Sequence, residues 1–420
     1  MTSRVETFMR KVVTGGIMGV AEFNRRRRSS EDGANPYLTG IHTPMTGETT
    51  IESPAVTGEI PAGLDGCYLR NGPNPISPDS ASHHWFVGDG MVHGLRLKDG
   101  KALWYKNRWV RSTRVSQALG EAPAPGPRNA RTDTVNTNVL GHAGKILALV
   151  EAGAYPVELD ADLNTIAHTS FNDGLRGGFS AHPHLDPDTG DIHAICYDAD
   201  VMDAVRYVVI GADGRVHRDQ KIAVQHGPMI HDCMITQNYV IVLDLPVTFS
   251  TKALLSGASL PYAWNPGHKA RIGLLPRIGE GEIVWCDVEP CYVFHPCNAC
   301  ENAAGDIIFD ACVHATMFAT SMHGPDSKKL AFERWTIDPR KQAVVRRVVD
   351  EAAQEFPRLD ERRTGKPYRF AYTMAVQPDS VDLRADTRLY KHDLETGLRE
   401  EHDFGAGRLP GEFVFAPKSC

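Results

Sequence analysis

Leu389-Tyr390-Lys391-His392-Asp393-Leu394, then Glu395-Thr396-Gly397, then a return run ending near Phe404, reads as a β-hairpin: a strand-like run, a polar turn closed by glycine, and a second run. The unit recurs along the chain. Short β-like runs lie at Lys145 to Glu151, Ile192 to Tyr197, Tyr239 to Leu245, Ile283 to Val288 and Asp306 to Ala311. Asp99-Gly100, Asp213-Gly214, Gly305-Asp306 and Asp188-Thr189-Gly190-Asp191 introduce or join such runs. No long helical pattern interrupts them, which excludes a doubly wound parallel sheet and leaves sandwich, solenoid or propeller. The 420 residues are too many for one sandwich. Blades of roughly 40 to 50 residues suit the length best, although no Trp-Asp or kelch repeat is visible. The expected class is all-β, a β-propeller.

Composition narrows the function. Lys and Arg number 45 against 52 Asp and Glu, a formal charge of −7 that argues against a partner held by phosphate neutralisation, so no nucleic acid is expected. The 38 Gly and 27 Pro suit a chain with many turns. No apolar run approaches the roughly 18 to 20 residues of a membrane span, and the N-terminus lacks a signal peptide's apolar core and cleavage site, so a cytoplasmic location is expected. Residues 1–34 stand apart as a basic extension and residues 35–420 form the propeller domain. Within the extension, Val5, Phe8, Met9, Val12, Val13 and Ile17 have roughly helical spacing and Arg25 to Arg28 follow. This pattern fits either an amphipathic helix resting on an anionic membrane surface or a solvated terminal extension. Nothing in the sequence indicates an oligomeric state.

The nine cysteines sit largely within apolar runs and read as small buried hydrophobes. Cys291, His295, Cys297 and Cys300 resemble half a zinc knuckle, but a second ligand pair at zinc-finger spacing is missing. Three histidines have distinctive neighbours: His182 in Ser180-Ala181-His182-Pro183-His184, His231 in Met229-Ile230-His231-Asp232, and His295 in Tyr292-Val293-Phe294-His295-Pro296. No two could share a helical turn. A site built from them needs a fold that carries distant segments to a common axis, as a propeller's inner strands do. Imidazole suits iron, zinc, copper and nickel, and each histidine singly also fits a hydrogen-bonded core or turn position.

Arg70-Asn71-Gly72-Pro73-Asn74-Pro75, His84-Trp85-Phe86-Val87-Gly88-Asp89-Gly90-Met91-Val92-His93-Gly94 and Asn136-Thr137-Asn138-Val139 resemble the carotenoid cleavage oxygenase family. The resemblance continues through Glu355-Phe356-Pro357-Arg358 and Leu409-Pro410-Gly411-Glu412-Phe413-Val414-Phe415. It implies a seven-bladed propeller with Fe(II) on its axis, an apolar tunnel for a polyene or stilbene, and cleavage of one C=C bond by O₂ into two carbonyl products. His182, His231 and His295 match three of the family's four histidine ligands. Glu151, Glu355 and Glu412 match its carboxylates, which accept ring N–H groups of the ligands. Thr137 matches a threonine whose methyl crowds one position at the iron. Phe86 and Phe294 are candidate tunnel residues and equally fit ordinary core packing.

Two departures accompany the match. The family's fourth histidine lies in a Phe-His-Gly motif after the segment matching Leu409 to Phe415, and this sequence ends at Cys420. His392 and His402 precede Glu412 and are no substitute. The last blade and its closing strand are therefore expected to be missing, Glu412 to lack its histidine, and the isolated chain to be unstable. The second departure is Val150, where the lignostilbene-cleaving branch has a lysine for the phenol oxygen. A carotenoid or apocarotenoid substrate is favoured over a hydroxystilbene. A binding propeller without catalysis and a non-oxidative isomerase stay open as alternatives.

Overall fold

The anticipated hairpin exists in the computed structural model: Ala385–Asp393 pairs antiparallel with Leu398–Asp403, Asp393 opposite Leu398. The Asp393 carboxylate accepts the backbone N–H groups of Glu395 and Thr396, and Gly397 takes φ 74°, a conformation that glycine adopts without a Cβ clash. The structure describes residues 20–21, 23–24, 35–80, 83–129, 131–279, 281–320, 328–377 and 385–418. The helical pattern of residues 5–17 and the basic run 25–28 lie outside them. Among the described residues no helix is long and apolar enough to cross a membrane.

Six four-stranded antiparallel sheets follow one another, spanning residues 49–109, 138–168, 184–223, 234–287, 296–350 and 354–403, here blades 1 to 6. A seventh is not seen among the described residues. Blade 1 takes its outermost strand, Thr49–Glu52, from earlier in the chain. Blade 4 carries a two-stranded insertion, Val247–Phe249 with Tyr262–Trp264. The first strands of successive blades touch: Gly66–Pro73 meets Asn138–His142, Met234–Ile235 meets Pro296–Glu301, and the latter meets Gln354–Arg358. First strands are therefore innermost, the propeller arrangement expected from the hairpin pattern.

Burial explains why several runs read as continuous apolar stretches and not as alternating ones. Every residue of Ile192–Cys196, and all but the first of Tyr239–Asp244, is buried, because a blade sandwiched between two others has both faces covered. One large cluster runs through blades 3 to 6 and includes Tyr207, Phe309, Phe332 and Trp335. At the rim the pattern ends, and all six residues of Leu398–Asp403 are exposed.

The motifs that carry the family resemblance hold blade 1 to blade 2. Asn71 Nδ2 donates to the carbonyls of Val135 and Asn138 at 3.3 and 3.2 Å. Asn136 Nδ2 donates back to the carbonyls of Phe86 and Gly88 at 2.9 and 2.6 Å. Gly90 lies so close to this crossing that a Cβ there would sit 1.8 Å from the Val135 carbonyl oxygen. Only a residue without a side chain fits.

Candidate metal centre

Each candidate ligand stands at the approach to an inner strand. His182 precedes His184–Leu185, His231 precedes Met234–Ile235, and His295 immediately precedes Pro296–Glu301. Blades 3, 4 and 5 thereby bring the three imidazoles together. Ring centroids are 4.5 Å apart for His182 and His231, 5.1 Å for His182 and His295, and 4.9 Å for His231 and His295. One ring nitrogen from each falls within a group of mutual distances below 4.8 Å.

The outer ring nitrogens fix the tautomers. His231 Nδ1–H donates to Glu151 Oε2 at 2.7 Å, and His295 Nδ1–H donates to Glu355 Oε2 at 2.8 Å. A carboxylate only accepts, so in the neutral rings both Nε2 atoms present lone pairs inward. They face each other at 3.1 Å. Two lone pairs so placed repel unless a proton or a cation lies between them. His182 Nε2 is buried with no hydrogen-bond partner, a third donor atom pointing at nothing in the protein. These three nitrogens fit a divalent cation.

The electrostatics agree with that fit. Burial holds His182 well below the ordinary histidine range, helped by the neighbouring His231, His295 and Arg358, so its ring stays neutral as a ligand must be. Burial would also lower His295, but the Glu355 carboxylate outweighs it and leaves His295 raised. Glu355 is fully buried, which by itself would raise its pKa. Its contacts with His295 and His314 instead hold it at about 2.

Aromatic rings wall the centre. Phe294 packs edge-on against His231 at 5.2 Å and against Phe86 at 6.4 Å. Phe356 lies over His295 at 4.9 Å. Phe86 and Phe294, expected as tunnel or core residues, thus stand together beside the histidines.

Other expected residues lie elsewhere or are engaged differently. Thr137 is half-buried just before Asn138–His142, its hydroxyl bonded to Asn136 Oδ1 at 3.1 Å. Glu412 is exposed and its Oε2 accepts from Arg358 at 2.8 Å instead of from an imidazole, so in this structure it orients no candidate ligand. His392 is buried inside blade 6 against Gln354, and His402 is exposed at the rim. Val150 is half-buried against the apolar cluster between blades 1 and 2 that includes Val92 and Ala148. The zinc knuckle does not form among the described residues: His295 groups with the histidines, and burial pushes the Cys291 and Cys297 thiols up to about 12.

Sequence reading missed three neighbours. His314, in Ile307–Thr316, donates to Glu355. Phe356 holds φ 53° and donates its N–H to Glu355 Oε2. His184, Asp232 and Cys233 form a second trio, closed by an ion pair of 2.7 Å between His184 and Asp232. The His-x-His and His-Asp-Cys spacings could have signalled the last; the first two look like ordinary strand residues.

A β-propeller whose inner strands converge three imidazoles, two of them tied to carboxylates, is an axial histidine-centre protein. The chain matches the model of the RPE65 family, retinal pigment epithelial membrane protein, over residues 42–420. It is 42% identical to a carotenoid cleavage oxygenase of Mycobacterium tuberculosis, covering 91% of this chain and 86% of the relative. With a carotenoid 9,10(9',10')-cleavage dioxygenase 1 of Arabidopsis thaliana the identity is 30%, over 91% and 79%. Among solved structures it resembles the cobalt-substituted apocarotenoid oxygenase of Synechocystis with a TM-score of 0.78 at 26% identity, covering 89% and 85%. The Pseudomonas brassicacearum lignostilbene dioxygenase gives 0.82 at 25%, covering 91% and 87%. The chain belongs to the RPE65 family, that of the carotenoid cleavage oxygenases.

Proposed function

We propose that this protein is a non-haem Fe(II)-dependent dioxygenase that cleaves one C=C bond of a carotenoid or apocarotenoid with O₂ to give two carbonyl products. The observation that carries the reading is the set of three Nε2 atoms, two with tautomers fixed by carboxylates and one buried without a protein partner. His182, His231 and His295 are the assigned ligands. Iron held there would supply O₂ activation, the alkene itself providing the electrons.

The chain's own residues have separate tasks. Glu151 and Glu355 hold the Nδ1 protons and so keep both Nε2 lone pairs aimed at the metal. Phe86, Phe294 and Phe356 keep water from the imidazoles and offer an apolar wall to a polyene. Thr137 is assigned the crowding role of the family threonine; Glu412 matches the family's third orienting carboxylate but here pairs with Arg358. The propeller, of which six blades are described, is assigned to the seven-bladed type spanning residues 35–420. The same reading gives it a cytoplasmic location, with residues 1–34 as a peripheral membrane contact.

A stilbene is the second reading, favoured by the likeness to a lignostilbene dioxygenase. Val150 speaks for the polyene, since an isopropyl group packed among Val92 and Ala148 cannot receive a phenolate. Oxygen uptake after anaerobic Fe(II) loading separates the possibilities, with an apocarotenal and a hydroxystilbene as competing substrates. One O₂ consumed per apocarotenal, with two carbonyl products, is expected. Polyene turnover without O₂ uptake would replace the dioxygenase with an isomerase. His231→Ala should lose iron binding and cleavage together; retained iron would remove His231 from the ligand set.

A further inference from the structure

We propose that His314 is a positioning residue of the metal centre, locking the Glu355 carboxylate so that Glu355 can fix His295. The inference rests on the reading of His295 as a ligand. His314 lies on the second strand of blade 5, Ile307–Thr316, and is fully buried. Its Nε2–H donates to Glu355 Oε1 at 2.6 Å while His295 Nδ1–H donates to Oε2 at 2.8 Å. The Phe356 N–H reaches the same Oε2 at 2.6 Å. Each oxygen of the carboxylate is therefore held, and its plane cannot turn without breaking a charge-assisted bond where no water can replace it.

The surroundings are arranged to keep this relay straight. Tyr292 and His314 exchange two backbone hydrogen bonds of 2.8 Å, which clamp the approach to His295 against the strand that carries His314. The Phe294 ring stacks on His295 and meets His314 edge-on, at 5.9 and 5.7 Å, filling the space between the two imidazoles. On the other side the ladder is irregular between Glu355 and Arg358, and Phe356 adopts a left-handed φ of 53°, a strained conformation for a residue with a side chain. That backbone conformation delivers both the Phe356 N–H to Glu355 and the Phe356 ring to His295. An apolar side chain at 314 could pack against Phe294 equally well. What the imidazole adds over an apolar side chain is the N–H aimed at Oε1.

The test uses His314→Leu, His314→Asn and His314→Gln in the whole chain, with Co(II) as the probe. A glutamine amide can sit where Nε2 sits; an asparagine amide falls short, and leucine has no donor. His314→Leu and His314→Asn should hold Co(II) about 10- to 100-fold more weakly against a chelator and shift its visible absorption. His314→Gln should restore both toward wild type. Wild-type affinity and spectrum in the Leu and Asn variants, with His295→Ala losing Co(II), would overturn the proposal and leave His295 as a ligand. Retention of Co(II) by His295→Ala would overturn the ligand reading beneath it. If His314→Leu does not fold, His314→Asn against His314→Gln decides.

Discussion

Replacing Glu355 by Gln is the sharpest perturbation the centre offers, because it changes one oxygen to NH₂ and almost nothing in volume. The carboxylate accepts three N–H groups, from His295 at 2.8 Å, His314 at 2.6 Å and the Phe356 backbone at 2.6 Å. An amide has one acceptor oxygen, so at least one imidazole N–H must face an NH₂ group. A buried unsatisfied donor costs about 1 to 3 kcal/mol, and the surviving bonds lose their charge assistance. A loss of about 2 to 4 kcal/mol follows, a large share of the roughly 5 to 15 kcal/mol that holds a typical domain. The loss should depend on pH in a defined direction. Glu355 in the folded chain titrates near 2, below its unfolded value of about 4.3. Wild-type stability from this group is therefore complete above about pH 4.3 and disappears as pH falls toward 2. Urea unfolding of the metal-free proteins should give a wild-type advantage that is present at about pH 5 and shrinks below it. Iron retention should fall by about 10- to 100-fold in the same variant. Equal urea midpoints at neutral pH together with unchanged iron retention would refute the reasoning.

Gly90→Ala should destabilise the chain by about 3 kcal/mol or more, since its Cβ would overlap the Val135 carbonyl at 1.8 Å and force blades 1 and 2 apart; a thermal midpoint unchanged from wild type would count against the crossing described here. Buried neutral His182 should cost the metal-free protein stability as pH drops below about 6.5, because the unfolded chain takes up that proton more readily; a His182→Gln variant that loses stability just as steeply over the same pH range would contradict it. Cys297→Ser should leave iron stoichiometry unchanged, because that thiol faces the Arg358 carbonyl and not the histidines; a loss of metal on this substitution would revive a thiolate ligand.

The all-β class was legible because turn chemistry is local. The Asp393 to Gly397 segment closes its hairpin with its own side chains, and no distant residue is needed to predict it. The number of blades was less legible, since the blades share no internal repeat and blade 1 borrows Thr49–Glu52 from earlier in the chain. His182, His231 and His295 were legible as a set through the family resemblance, which also paired Glu151 and Glu355 with ligands in general terms. Glu412 was expected to lack its histidine, and the nearby Arg358 guanidinium takes the carboxylate. His314 and Phe356 carried no local signal. One is a histidine within an apolar strand, the other an ordinary aromatic whose positive φ is imposed by the irregular pairing after Glu355.

The placement of the carboxylates explains why the site needs the ring and not one blade. Glu151 follows the second strand of blade 2 yet holds His231 at the approach to blade 4, so this bond spans the blade between them. Glu355 belongs to the inner strand of blade 6 and holds His295 of blade 5, while His314 returns the connection to the second strand of blade 5. The three histidines stand on the approaches to inner strands, and the groups that orient two of them come from other blades or the next strand outward. A shift of blade 2, 4, 5 or 6 therefore changes a hydrogen bond at one of these imidazoles. Tautomer control at the centre and packing of these blades are one set of interactions, which is why the buried carboxylate at residue 355 is expected to be intolerant of a single exchanged group.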